Sequence, residues 1–288
     1  MEYLVHTVVL VSIYAVQAMS LNLLIGETGL VSVAQAAFAG IGAYAAVVLM
    51  TIMGVNFFVA SLIGALAAGT VAFIVGIIFL PLRQVYYILG TVGFNVIAWS
   101  VFLNWNEVTK GSLGIAGIPR PVVFGYALSE NAAFLVLCLV SVACVYGISA
   151  LITRSSLGRV LHAIREDEDA VAVFGYATTH YKVFIFVVAA FIAGYAGALF
   201  ASYLSYISPT NYIVPESIFA LSIVILGGLG SAHGAIVAAF LLVVLPEVLR
   251  FVGFPSELAG HLRLMSYGLI LIFFMLYLPK GLFGKFRI

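Results

Sequence analysis

From Met1 to Leu82 the chain contains no lysine and no arginine, and nearly all of that length is apolar. No soluble globule can hide such a stretch, because a packed core needs a polar skin. Over the whole chain 64% of residues are hydrophobic and only 8% charged, whereas soluble domains carry about 25% charged residues. The solvent for this chain is a bilayer. Its apolar runs lie near 4–24, 30–53, 56–80, 85–103, 132–152, 182–205, 214–228, 232–252 and 264–279. At about 20 residues per crossing, they read as roughly eight or nine helices. The runs are continuous, whereas barrel strands would alternate in polarity over about ten residues. The expected fold is an all-α polytopic transmembrane helix bundle, one domain over 1–288, with some Gly-rich segments broken or re-entrant.

Several function classes drop out on composition. A cleavable signal peptide opens on a basic segment, but this chain opens Met1-Glu2-Tyr3, so the first run reads as a retained span. Cys138 and Cys144 fall in one apolar run, which suits neither a zinc ligand set nor a disulfide framework. His6, His162, His180, His233 and His261 are scattered, with no H-E-x-x-H pair. The basic residues form no aromatic-interleaved patch of the kind that binds nucleic acid.

Basic residues near span ends are retained on the cytoplasmic side. The long polar segment Thr153 to Lys182 carries Arg154, Arg159, Arg165 and Lys182, and the tail carries Lys280, Lys285 and Arg287. Both are therefore expected inside, together with Arg83. Counting spans backward puts the N-terminus and the 104–131 segment outside, with Lys110, Arg120, Arg250 and Arg263. Within the inner segment, Ser155 and Ser156 can cap a helix. Leu157, Val160, Leu161 and Ile164 repeat at helical spacing, and Gly175 is a stop signal. The pattern predicts a short amphipathic helix parallel to the membrane. The competing reading is a solvated connector kept wet by the run Arg165-Glu166-Asp167-Glu168-Asp169, although a pure connector needs no apolar stripe.

The stretch Gly26 to Leu49, GETGLVSVAQAAFAGIGAYAAVVL, is short of bulky side chains. Ser32, Ala36 and Gly40 form one row at i+4, Gln35, Ala39 and Ala43 a second, and Gly42 and Ala46 a third. Small residues let membrane helices approach closely, so this helix belongs inside the bundle. A similar pattern, GLGSAHGA, runs from Gly228 to Ala235 and could mark an old duplication. Interrupted Gly-rich segments in matching halves point to a transport route. Polar groups within spans face a bundle interior or a wet cavity. Those found are Gln17, Asn22, Gln35, Asn95, Glu216, His233 and Glu247. Asn22, Gln35, Gly40 and Asn95 are the candidate lining of a pathway, against the alternative of interhelical packing and hydrogen bonds. Glu27 reads as a residue at the inner end of a broken span, as a cap or a contact to a partner. No acidic residue sits clearly at mid-span, which favours a driving force supplied from outside the bilayer over a proton- or sodium-driven carrier.

Four motifs in fixed order carry a resemblance. They are SLNLLIGETGLVSVAQAAFAGIGAY (20–44), NWNEVTKGSLGIAGIPRP (104–121), SSLGRVLHAIREDEDAVAVFGY (155–176) and ISPTNYIVPESIFALSIVILGGLGSAHGA (207–235). Together they resemble the permease subunits of ABC importers of the branched-chain amino acid family, over nearly the whole chain. The resemblance implies a non-catalytic subunit of a cytoplasmic (inner) membrane. It implies pairing with a second homologous permease, docking of two cytoplasmic ABC ATPases, and delivery of substrate by an extracytoplasmic binding protein. It also implies that the 153–181 segment couples to the ATPases through Gly158, Arg159, Ala163, Arg165, Glu166, Asp167 and Glu168. The residues agree: no G-x-x-x-x-G-K-[ST] loop is present. No cofactor is therefore expected on this chain, with ATP and Mg left to the partners. Departures are Gln35 where the family often has histidine, Lys110-Gly111 where it often has two glycines, and Ala232-His233 where an aromatic is usual. They bear on the substrate, since relatives that carry urea or short amides share much of the pattern. The rival classes are a stand-alone channel or secondary carrier, and an intramembrane enzyme using His233 or His261 with Glu216 or Glu257.

Overall fold

The computed structural model describes residues 2–82, 84–123, 126, 127, 130–251, 268, 269, 272 and 281–284. The apolar run 264–279 therefore lies outside the described residues, as do Arg83, Glu257, His261, Arg263, Lys280, Lys285 and Arg287, which entered the topology and rival readings; the same holds for the side chains of Glu247 and Arg250. Eleven α-helices are described: α1 Glu2–Thr28, α2 Gln35–Ile52, α3 Phe57–Phe79, α4 Gln84–Asn104, α5 Asn106–Thr109, α6 Asn131–Arg154, α7 Ser156–Glu166, α8 Glu168–Val173, α9 Thr178–Leu204, α10 Val214–Gly227 and α11 Ala232–Phe251. Six of them, α1, α2, α3, α4, α6 and α9, are long and apolar enough to span a membrane, and α10 and the apolar part of α11 are shorter. The fold is an all-α helix bundle. Its few strands are two-residue pairs: β1 Ile115–Ala116 joins β4 Tyr206–Ile207, and β2 Val122–Val123 joins β3 Tyr126–Ala127.

Helices α2, α3 and α9 pack against one another most closely, and the reason is the size of their side chains. Gly42 of α2 lies on the backbone of Gly194 in α9, Gly197 of α9 on the carbonyl of Ala39, and Gly64 of α3 on the carbonyl of Gly42. With no hydrophobic drive between helices in lipid, such contacts supply the dispersion that holds a bundle together. The Gly26–Leu49 stretch thus sits inside, as its small residues predict. By contrast α4 and α6 bury only 28% and 22% of their most apolar windows. Leu139 and Val140 of α6 and Ile97 and Val101 of α4 face outward, which makes these two helices the periphery.

The bundle has two distinct ends. At one, His6 near the start of α1 meets Tyr203 near the end of α9, Nδ1 to Oη 2.6 Å. At the other, the α7–α8 hairpin docks on the end of α1. Residues 281–284 lie at that hairpin end as well, where Leu282 N donates to Leu226 O at 2.9 Å and Phe283 N to Gly227 O at 3.0 Å. The start of α1 and residues 281–284 are thus at opposite ends of the bundle.

Candidate functional site: a broken-helix junction and a docked hairpin

Two of the helices start at breaks in the helical run: α2, whose first residues are buried, and α10, whose first turn runs from an exposed Pro215 to a buried Ser217. Helix α1 stops at Thr28, and Gly29 turns the chain with a φ of +72° that other residues adopt rarely. The chain then runs without helix until Gln35. Helix α10 is the second case: Pro215 occupies its first turn, where a missing amide N–H does no harm. Backbone left open by a broken helix must be satisfied by side chains, and here the partners cross between the two breaks. Thr91 Oγ1 accepts from Val33 N at 3.1 Å. Asn95 Nδ2 donates to Val33 O at 3.1 Å and to Ser217 Oγ at 2.9 Å. Ser217 Oγ in turn accepts from Ala36 N at 2.8 Å. The first turn of α10 therefore closes the first turn of α2. Gln35 points toward α1, its Nε2 donating to Ser20 Oγ at 2.9 Å and to Gln17 O at 3.2 Å.

The helix dipole leaves partial positive charge at each helix start, so two such ends converge near mid-bundle. Beside them runs a narrow cleft of about 20 Å³, bordered by Gln17, Asn211 and Glu216 on its polar side and by Tyr14, Phe200 and Tyr212 on its aromatic side. That is room for about one water.

The hairpin is the second constellation. Ser155 caps α7, its Oγ accepting from Gly158 N at 3.3 Å. Gly158 lies on the carbonyls of Ile152 and Thr153, where no side chain fits. Gly158, Leu161 and Ile164 are buried, while Arg159, Ala163 and Glu166 are exposed. The single helix predicted for 155–175 is in fact two: Asp167 leaves helical geometry at φ −155° and ψ 101°, and its carboxylate caps α8 through Ala170 N at 2.9 Å. Gly175 does stop the second helix, with φ +87°.

Charged groups tie this hairpin to the spans. Glu27, almost fully buried, accepts from Thr153 Oγ1 at 2.9 Å, and its other oxygen stands 3.0 Å from His162 Nε2. Arg165 Nη1 donates to Gly26 O at 2.5 Å. Burial pulls the Arg165 guanidinium below its ordinary pKa, with Glu166 and Glu27 opposing that pull; it stays charged at neutral pH all the same. Glu168 accepts from Thr178 Oγ1 at 3.0 Å and pairs with Lys182 at 2.5 Å. Lys182 Nζ also reaches Leu80 O at 3.4 Å. Outside this network α7 and α8 leave a groove of about 550 Å³, with Arg159, Ala163 and Glu166 on one wall and Val171, Phe174 and Tyr176 on the other. Phe174 is 82% exposed.

Residues 3–278 match the family described as the permease component of the branched-chain amino acid transport system. The chain belongs to that permease family. It is 33% identical to the high-affinity branched-chain amino acid transport system permease protein LivM of Escherichia coli K12, over 96% of this chain and 69% of that protein. It is 24% identical to the high-affinity branched-chain amino acid transport system permease protein BraD of Pseudomonas aeruginosa, over 99% of this chain and 96% of that one. A probable branched-chain amino acid transport permease protein of Methanocaldococcus jannaschii is 25% identical over 80% of this chain and 69% of its own length. No solved structure matches.

Within the permease the predicted residues divide. Asn95 lies at the junction of the two breaks, Gln35 opens α2 there but turns toward α1, and Gly40 lies just beyond, against Phe102 and Tyr212. Asn22 does not join them: its Oδ1 accepts from Gly230 N at 3.0 Å, fastening the 228–231 turn to α1 at the hairpin end. Of the hairpin residues, Arg159, Ala163, Glu166 and Asp167 face out, whereas Gly158, Arg165 and Glu168 engage this chain's own spans. Glu27 caps no helix and joins α1 to the hairpin. Sequence reading missed Ser217 and Thr91. Ser217 did carry a signal, since Val214-Pro215-Glu216 ahead of an apolar run is a helix start. Thr91 carried none, because a lone threonine in an apolar run is ordinary. His233 pairs with Tyr146 Oη at 2.7 Å, and among the described residues no group of three His, Cys, Asp or Glu could hold a metal.

Proposed function

We propose that this permease is the pathway-forming membrane subunit of an ATP-driven importer for branched-chain amino acids. In this reading it works with a second permease, two ABC ATPases that use ATP and Mg, and an extracytoplasmic binding protein. The observation that carries it is the two-sided hairpin. One side is bonded into α1, α6 and α9, and the other offers an apolar and charged groove that the described residues leave open. An ATPase seated there moves the hairpin, and the ties from Arg165 to Gly26 and from His162 to Glu27 pass the movement to the end of α1. Five residues beyond Thr28, Val33 is held by Thr91 and Asn95, so the same movement reaches the junction. The two helix starts favour a substrate carboxylate, Glu216 favours its ammonium, and Tyr14, Phe200 and Tyr212 accept an aliphatic side chain. Leucine passes when the cleft is wider than its present 20 Å³. The hairpin end faces the cytoplasm, since Arg154, Arg159, Arg165 and Lys182 cluster there, and the start of α1 faces outside.

The test is uptake of labelled leucine and labelled urea in cells lacking this chain, complemented with wild type, Ala163→Trp or Phe174→Ser. Leucine uptake restored by wild type only, with ATPase co-purification lost in both variants, supports the assignment. Restored urea uptake alone keeps the machinery and moves the substrate to urea and short amides. Full rescue by both variants at normal expression refutes docking at this groove. Uptake that persists after the ATPases are deleted would establish a channel or secondary carrier instead.

A further inference from the structure

One short length of chain, residues 205–213, runs from the end of α9 to the start of α10. Helix α9 ends beside His6, at the end of the bundle away from the hairpin, so this segment descends from that end toward the cleft. Its 3-10 turn Pro209–Tyr212 carries Asn211 and Tyr212 into the cleft wall. It forms the cover on that side.

What holds the cover down is a clasp from the segment that follows α5. Strand β4 pairs with β1, Ile207 opposite Ile115 and Tyr206 opposite Ala116. Gly117 N and Ile118 N both donate to Ser205 O, at 3.1 Å and 3.3 Å. Tyr206 Oη donates to Leu113 O at 3.0 Å. Gly114, at φ +69°, lies on the carbonyl of Ile207, where a Cβ would collide.

The clasp is built to come apart. Its ladder is two residues long and joins two strands only, and even a full two-stranded hairpin is marginal by itself. Among the described residues, the non-glycine residues with positive φ are Lys110 at 60° and Ser205 at 52°. One stands where the clasp leaves α5 and the other where the cover leaves α9. Backbone of this kind persists where its surroundings impose it, and it gathers at clamps and switch regions. The closed packing beneath the cover carries a cost as well. The Tyr212 ring lies 6.1 Å from that of Tyr44 and 6.2 Å from that of Phe102. The hydroxyls of Tyr44 and Tyr212 are buried there with no hydrogen-bond partner among the described residues. That is unfavourable, and an opening that admits water relieves it. The turn itself moves as a unit, because Ser208 caps it through Thr210 N at 3.4 Å and Pro209 fixes its first residue.

We propose that residues 205–213 are the outer gate of the cleft and that residues 111–118 are its latch, the gate swinging from Ser205 when the β1–β4 pair parts. The substrate that passes comes from the transport reading, on which the uptake arm of the test rests; the labelling arm does not depend on it.

The experiment uses the full-length permease in its host cells, with Cys138→Ala and Cys144→Ala removing the native free thiols. Gln17→Cys places a thiol in the cleft wall, and a membrane-impermeant methanethiosulfonate reports its access from outside. Ile115→Cys with Ile207→Cys allows a disulfide across the clasp, since opposed residues of an antiparallel pair stand close enough to bridge. Oxidation should slow labelling at position 17 at least tenfold and stop leucine uptake, and prior reduction with dithiothreitol should restore both. Tyr206→Phe, which removes one latch hydrogen bond, should speed labelling about threefold, within the range of one neutral hydrogen bond. A bridged chain that labels as fast as the reduced one overturns the proposal. So does a thiol at position 17 that never labels, leucine uptake that the bridge leaves unchanged, or wild-type labelling in Tyr206→Phe. Labelling blocked by the bridge in a chain that carries no leucine supports the gate and refutes the transport reading instead.

Discussion

The packing of α9 against α2 and α3 predicts a measurable consequence of adding one methyl group. At Gly194 a new Cβ would stand 2.7 Å from Ala68 Cβ, 3.2 Å from Ala65 Cα and 3.4 Å from Gly42 Cα. Carbon atoms rest at about 3.5–4.0 Å, so α9 must move from α3 by roughly 0.8 Å. A gap of that size forfeits a quarter to a half of each affected dispersion contact, and overpacking of a tight core costs about 1–3 kcal/mol. Alanine also gains up to about 1 kcal/mol over glycine in a helix, which blurs a single measurement. Gly147→Ala in α6 removes that ambiguity, since a Cβ there meets nothing within 4 Å. The difference between the two variants then isolates the clash. At about 2–4 °C per kcal/mol for a chain of this order, Gly194→Ala should melt roughly 3–10 °C below Gly147→Ala. The assay is the thermal midpoint of each detergent-solubilised variant, followed by the monodisperse fraction on gel filtration. Equal midpoints would refute the close packing of α9 on α3.

Two further outcomes follow from the site. Glu27→Ala removes the shared acceptor of Thr153 and His162, so hydrogen exchange in α7 should quicken and uptake should fall while the chain still inserts; unchanged exchange would show that the pair does not hold the hairpin. Asn95→Leu leaves Val33 O and Ser217 Oγ short of a donor, a loss of about 1–3 kcal/mol, and should lower the thermal midpoint more than Asn104→Leu, whose amide is exposed at the end of α4 and bonds only within its own helix.

The sequence alone determined that this chain is a helix bundle in a membrane, because continuous apolar runs with almost no charge admit no other solvent. It also determined that the 26–49 stretch lies inside, since a helix short of bulky side chains gains most from close contact with its neighbours. The helical nature and the capping serine of the 155–175 segment were legible for the same reason: periodicity and caps are local. The tertiary structure alone decided which polar residues meet. Asn22, Gln35 and Asn95 read alike in sequence, yet one fastens a turn at the hairpin end, one reaches α1 and one bridges the two broken segments. The same holds for charge. Arg165 and Glu168 stand in a run that reads as solvated, but the backbone carbonyl of Gly26 and the ammonium of Lys182 draw them inward. A hydrogen bond between residues 122 positions apart, such as Asn95 to Ser217, has no local signature. Only the packing of α4 against two broken helices brings its partners within reach.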